Sequence, residues 1–428
     1  MEFSRNEIMP FVYLTCLQTG KFKTGCLSIN LLTQLCRENA AKNAIIPRVL
    51  LRGTQKHPDM DSLSAAMDEL YGAKIISLTR KLGEIQAVGL YAGFIDDKFA
   101  GGEAVAEKVI GLVGDILLSP NTRGGLFQPQ YVDSEKEKLI EDINGVLNNK
   151  IAYASRRLIE QMCSCEDYAV PAMGNESEAE SIFYQSLTRY YKKLLLTAPM
   201  EIFYCGSVSP GKITEALRSA LLNLPRGEID LDIGTEIRMN TVEEGVRYFD
   251  EELDVQQGKL DIGFRMGECM DTATGAGLKV FNALFGGDIS SRLFENVRER
   301  LSLCYYVSSR LHRQKGILEV YSGVDPDKYD EALKEIFAQL DAIRAGGFTD
   351  DELDAARRSV SSALKLTADT QSALEDYWLG QNVDGIECAP EELAALAEDV
   401  TREEVMAIAA TVVCDAVYFL HGPAKEAE

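Results

Sequence analysis

Three glycines recur at one fixed interval: Gly25 and Gly258, Gly53 and Gly286, and Gly83 and Gly316 are each 233 positions apart (258 − 25). Leu27 and Leu260, Ile29 and Ile262, and Leu70 and Leu303 keep the same interval. Each glycine falls where a residue without Cβ is favoured: the start of a strand, the close of a helix, a hairpin turn. A single interval across three kinds of position implies an internal duplication. That duplication constrains the fold more than any other feature of the chain.

Both halves read in the same order. In the first, Cys26–Leu32 alternates as a half-buried strand, and Asn39–Leu51 follows as an apolar helix. Asp61–Tyr71 is a second helix closed by Gly72, and strands on either side of Gly83 form a hairpin. Long helices are predicted over Phe99–Leu118 and Gln130–Asn148, with others at Tyr153–Met162 and Ser177–Lys193. Met200–Gly206 is a strand and Pro210–Leu222 a helix. The second half restarts with a strand at Gly258–Met266, an apolar helix at Thr272–Phe285 and an amphipathic helix at Ser291–Leu301. A hairpin about Gly316 and the helices Tyr329–Arg344 and Thr349–Leu366 come next, and Ala416–Leu420 is the last strand. The polar stretch with Pro225, Gly227 and Gly234 reads as a linker. The predicted fold class is α+β: two tandem homologous domains, 1–224 and 248–428 around a linker at 225–247, each an antiparallel sheet packed with long helices.

Composition narrows the function. Acidic residues number 67 against 44 basic ones, for a net charge of −23, so a general nucleic-acid surface is not expected. No uncharged apolar run reaches the roughly 18 residues of a membrane helix. The N-terminal run Met9–Leu17 is broken by Pro10 and is not expected to be a signal peptide. Ten scattered cysteines suggest no disulfide framework, and a reducing cytoplasm is the expected location. Cys163-Ser-Cys165 has no second cysteine pair nearby and reads as structural. There is no G-x-S-x-G elbow, P-loop or G-x-G-x-x-G after a strand.

Two blocks carry a resemblance. One is Asn39–Thr54, an apolar helix that runs out through Gly53-Thr54; the other is Gly286-Gly-Asp-Ile-Ser-Ser-Arg-Leu-Phe-Glu-Asn-Val-Arg-Glu-Arg-Leu-Ser-Leu-Cys-Tyr-Tyr. Across essentially the whole chain, these resemble the insulinase/pitrilysin peptidases, to which the mitochondrial processing peptidase belongs. The resemblance implies an insulinase-like (LuxS-like metalloenzyme) fold. In that family the first helix bears H-x-x-E-H, whose two imidazoles bind zinc beside a glutamate base. Here those positions hold Ala44, Pro47 and Arg48, and the chain's three histidines, His57, His312 and His421, lie far apart in sequence. Each reads as a surface or turn histidine. The family's acidic positions, seven apart on a later helix, correspond to Glu135 and Asp142, with an alternative register that puts the ligand position at Glu135 itself. One carboxylate does not bind zinc tightly alone, and a proline within a helix costs about 3 kcal/mol. Arg48 is expected to face Asp142 or Glu135 in place of metal charge, or otherwise to lie along the surface. The positions corresponding to the family's substrate-contacting Arg and Tyr are Arg298 and Tyr305.

The resemblance therefore implies no catalytic residue and no metal in this chain, with zinc only in a partner. The expected role is the non-catalytic subunit of a pair whose motif-bearing sister cuts peptide, the two closing a peptide-holding chamber. Bacterial non-catalytic members extend the expectation to elongation factor P modification. The alternative is a stand-alone peptide-binding or scaffolding homodimer.

Overall fold

A computed structural model describes residues 2–239, 245–267 and 272–423. The chain forms two compact units. The first is built on a six-stranded sheet of β1 (Glu2–Met9), β2 (Val12–Gln18), β3 (Thr24–Gln34), β4 (Lys74–Leu82), β5 (Ile85–Ile95) and β8 (Met200–Gly206). Between them the short strands β6 (Thr122–Arg123) and β7 (Leu126–Phe127) pair with each other. The second unit has five strands: β9 (Arg247–Glu252), β10 (Gly258–Arg265), β11 (Cys304–His312), β12 (Ile317–Val324) and β13 (Val413–His421).

The strand orders are β1-β2-β8-β3-β5-β4 and, read from the other edge, β9-β13-β10-β12-β11. With β1 set aside, the two sheets are one pattern used twice. Each is antiparallel except for one pair, β2 with β8 and β9 with β13. The hairpin glycines match in conformation as well as in position, Gly83 at φ 60° and Gly316 at φ 64°. A Cβ on Gly316 would also sit 2.3 Å from the carbonyl oxygen of Gly267, so glycine is required there twice over.

The structure defines some segments more closely and corrects others. The Pro10-broken apolar run is the turn and second strand of the β1–β2 hairpin, with Phe11 at φ 55°. The helix expected from Phe99 begins only at Val105, after a short 3₁₀ turn at Asp97–Phe99. Ala283–Gly287 and Leu293–Arg300 are π-helical, the wider winding with i→i+5 bonds such as that from the Leu301 amide to Asn296.

The units do not divide at the expected linker, of which residues 240–244 lie outside the described residues. The first unit comprises Met1–Asn144, Val170–Gly234 and Thr370–Val383; the second comprises Gly145–Ala169, Thr235–Asp369 and Asp384–Glu428. Each thus includes a helix from the other half. Lys150–Met162 packs on β10 and β13, burying Ala154, Leu158 and Met162 beside Tyr418 and Leu420. Gln371–Val383 packs on β3 and β8, the equivalent strands, with Trp378 stacked 4.2 Å from Phe3. A helical apolar stripe shows which face is buried, not which sheet receives it.

Buried charges fasten these segments, through Glu166 in the turn just after the first helix and Glu375 within the second. In the second unit the Glu166 carboxylate lies 2.6 Å from both Arg265 Nη2 and Lys315 Nζ, and Arg265 Nε reaches Asp415 at 2.7 Å. In the first, Glu375 accepts from Ser28 Oγ at 2.6 Å and from Arg80 at 2.7 Å. Burial opposes the Glu166 charge, yet Arg265 and Lys315 outweigh it and hold this carboxyl below its ordinary range. Glu166→Ala is expected to lower unfolding stability by about 3–5 kcal/mol, because it leaves buried cations uncompensated. The depressed pKa means that the wild-type contribution is present above the unfolded glutamate pKa of about 4.3 and fades as pH falls below it. Denaturant titrations at pH 7 and below pH 4 check both points; a variant as stable as wild type at pH 7 contradicts them.

Candidate functional site

The helix at the motif positions spans Ala40–Leu50 and continues through Pro47. Its apolar face enters the core of the first unit through Ala44, Ile45, Ile46, Val49 and Leu50. Pro47 is buried as well and lacks the N–H that would bond the Asn43 carbonyl. The Asn43 side-chain amide is tied instead to Gln86, at 2.7 Å. The chain then leaves through Gly53 at φ 147°, where a Cβ would come within 2.7 Å of the Pro58 backbone. Thr54 closes the turn: its amide donates to the His57 carbonyl at 2.6 Å, and its hydroxyl accepts from the His57 amide at 2.9 Å. Gly286 lacks this conformation, so the middle glycine pair shares a position in the repeat but not a shape.

Arg48 points at the acidic helix Pro129–Gly145, where Nη1 donates to Asp142 Oδ2 at 2.7 Å. One turn further on, Arg52 Nε lies 2.9 Å from Glu135 Oε1, Nη2 donates to Ser134 at 2.5 Å, and the guanidinium rests over the Tyr131 ring. Lys138 adds a second cation on Glu135 at 3.0 Å. As the numbering rises from Arg48 to Arg52 it falls from Asp142 to Glu135, so the two segments run antiparallel, joined by two arginine–carboxylate rungs. Arg52 is the position at this site that the sequence reading missed. Its signal was available: a four-residue step opposite a seven-residue acidic step.

These residues do not fit zinc. Ala44 and Pro47 offer no ligand atom, Arg48 brings a permanent cation, and both candidate carboxylates are engaged by arginines. Among the described residues, no group of three or more His, Cys, Asp and Glu side chains could hold a metal ion. The histidines stand apart from this helix or play other parts. His57 contributes backbone to the exit turn. His421 contacts Asp250 at 2.8 Å. His312 corrects the surface expectation: it is largely buried between the Tyr168 hydroxyl at 2.8 Å and Glu319 at 2.7 Å.

Arg298 and Tyr305 come together in the second unit, lining a cleft of about 410 Å³ with Ser302, Asp325 and Lys328. Arg298 lies over the Phe294 ring at 4.6 Å, with Nε 3.7 Å from Glu299. Tyr305 is 59% exposed, and its hydroxyl donates to Asp325 at 3.3 Å. The cleft presents a guanidinium and a phenol, with the Lys328 ammonium bonded to the Ser302 carbonyl at 2.8 Å and the Glu299 and Asp325 carboxylates alongside, a set of donors suited to peptide carbonyls.

A duplicated α+β fold with arginine–carboxylate rungs at the motif helix defines a class: a zinc-peptidase homologue without its zinc ligands. The comparisons agree. The family profile "Peptidase M16 inactive domain" matches residues 181–360. The "Probable inactive metalloprotease YmfF" of Bacillus subtilis is 32% identical over 410 residues, 95% of each chain. An uncharacterised zinc protease of Streptomyces coelicolor is 24% identical over 86% of this chain and 77% of its own. A conserved protein of Enterococcus faecalis superposes with a TM-score of 0.88 at 25% identity, covering 99% of this chain and 100% of that one. A peptidase M16 inactive domain from Pseudomonas fluorescens does so with 0.80 at 16% identity, over 100% of both chains. The chain belongs to the M16 (insulinase/pitrilysin) peptidase family, as a non-catalytic member.

The two rungs are expected to differ in strength. Asp142 is half exposed, so Arg48→Ala should cost under about 1 kcal/mol. The Glu135 side chain is 8% exposed, and Arg52→Ala should cost about 2–3 kcal/mol. Urea midpoints of the two variants test this order; equal midpoints contradict it.

Proposed function

We propose that this chain is the peptide-holding, non-catalytic subunit of a pair whose sister chain keeps H-x-x-E-H and carries the zinc. The observation that carries the proposal is the contrast between the two places just described. At the motif helix, the charged groups are spent on each other through Arg48–Asp142 and Arg52–Glu135. In the other unit, Arg298 and Tyr305 remain at an open cleft. A chain with its metal site rebuilt and its peptide-type donors only loosely held at a surface cleft is suited to hold a substrate that another chain cuts. The extension to elongation factor P modification rests on the family resemblance alone.

Zinc analysis and peptidase assays, on this chain alone and mixed with the sister, test the reading. The expected result is no stoichiometric zinc and no EDTA-sensitive cleavage alone, with activity in the mixture. EDTA-sensitive cleavage by the purified chain alone overturns it. A sizing run that gives a homodimer and no complex with the sister favours the stand-alone scaffold instead. In the mixture, Arg298→Ala is expected to raise KM by about threefold to tenfold, equivalent to roughly 0.7–1.4 kcal/mol, with little change in kcat. Steady-state kinetics decide this; an unchanged KM removes Arg298 from the peptide site.

A further inference from the structure

One end of the first unit's sheet holds a cavity whose lining shares no residue with the motif helix or the Arg298–Tyr305 cleft. Its volume is about 680 Å³, inside the roughly 300–1,000 Å³ range of small-molecule pockets. Tyr71, Tyr91, Phe94 and Phe99 supply aromatic walls. Tyr71, Ile76 and Phe99 each expose about half of their surface, at 50%, 52% and 51%, so three large apolar side chains gather at one opening. Tyr71 is held there against its backbone preference, at φ 60°, a region that bulky residues avoid. Its hydroxyl anchors it to the Ala100 carbonyl at 3.3 Å and to Glu103 at 3.1 Å.

Gly93 lines the cavity and puts no side chain into it. A Cβ there would meet only the Tyr91 ring, at 3.7 Å, and the backbone is not in the left-handed region. The strand does not demand a glycine at this position, yet a larger residue would fill the space. Lys23 and Lys74 stand exposed among the lining residues, and neither forms an ion pair with the other described residues. Two unpaired ammonium groups beside an apolar hollow form a complementary pattern in a chain of net charge −23. A ligand that is polar throughout would lose hydration against the rings without new partners.

The geometry points to a binding site for a small apolar carboxylic acid, its body among the rings and its carboxylate at Lys23 and Lys74. The test titrates 3-phenylpropionate and octanoate, each beside its neutral amide, into the full chain by calorimetry at low salt. Saturable binding of at least one acid is expected, about tenfold tighter than its amide, the scale of two exposed charge contacts. Gly93→Val should abolish binding without moving the unfolding midpoint. Lys23→Gln with Lys74→Gln should bring acid and amide to equal affinity. The assignment fails if neither acid binds, if acid and amide bind wild type alike, or if binding survives Gly93→Val. Preference for a phenylalanine-terminated tripeptide over both free acids also overturns it, in favour of a peptide terminus.

Discussion

Each unit is organised about a carboxylate supplied by the opposite half of the sequence. Glu166 meets Arg265 and Lys315 in the second unit, and Glu375 meets Ser28 and Arg80 in the first. Taking such charges out of water costs about as much as their pairing returns, so they add little net stability. They act through the cost of a mismatch. An apolar sheet face accepts many amphipathic helices, but one not followed by a carboxylate here would leave buried Lys315 without its anion and Arg265 with Asp415 alone. The charges thereby select which helix docks, and the exchange follows: neither half of the chain contains a complete unit.

The motif helix shows how a metal site is rebuilt without disturbing its frame. Ala44, Ile45 and Val49 still bury against the same core as Leu139 and Ile143 of the acidic helix. Two guanidinium charges oppose the two carboxylates, and the rungs tolerate small shifts that zinc coordination would not. Pro47 removes one backbone bond from a helix that packing holds in place. Gly53 keeps its positive φ because the exit turn needs it, independently of any chemistry upstream.

The legible parts of the fold were those with a local physical cause. Gly83 and Gly316 announced their turns because L side chains avoid that conformation, and the shared interval revealed the duplication. The parallel pairs and the exchanged helices were not legible, since periodicity reports a buried face and not its partner. The π-helical winding at Leu293–Arg300 has no composition of its own. At the candidate site, Arg48 was read against Asp142 or Glu135, and the geometry gives it Asp142. Glu135 goes to Arg52, which lies just past the helix end and so escaped a reading confined to the motif positions.

The rebuilt helix also bears on where this chain can act. A donor is available to a ligand only if redirecting it loses little. Arg52 is enclosed by Glu135, Ser134 and the Tyr131 ring, and moving it would leave a buried carboxylate with only the half-exposed Lys138. Arg48 is committed to Asp142 at 2.7 Å. Tyr305 makes long contacts of 3.3 and 3.5 Å to Asp325 at a wet surface, where an incoming carbonyl replaces them at almost no loss. Arg298 has only a 3.7 Å approach to Glu299 and a ring beneath it. The motif helix has therefore committed its charges to structure, and the Arg298–Tyr305 cleft keeps its own at the surface. On the proposed reading, a peptide is therefore to be sought at the Arg298–Tyr305 cleft and not at the motif helix.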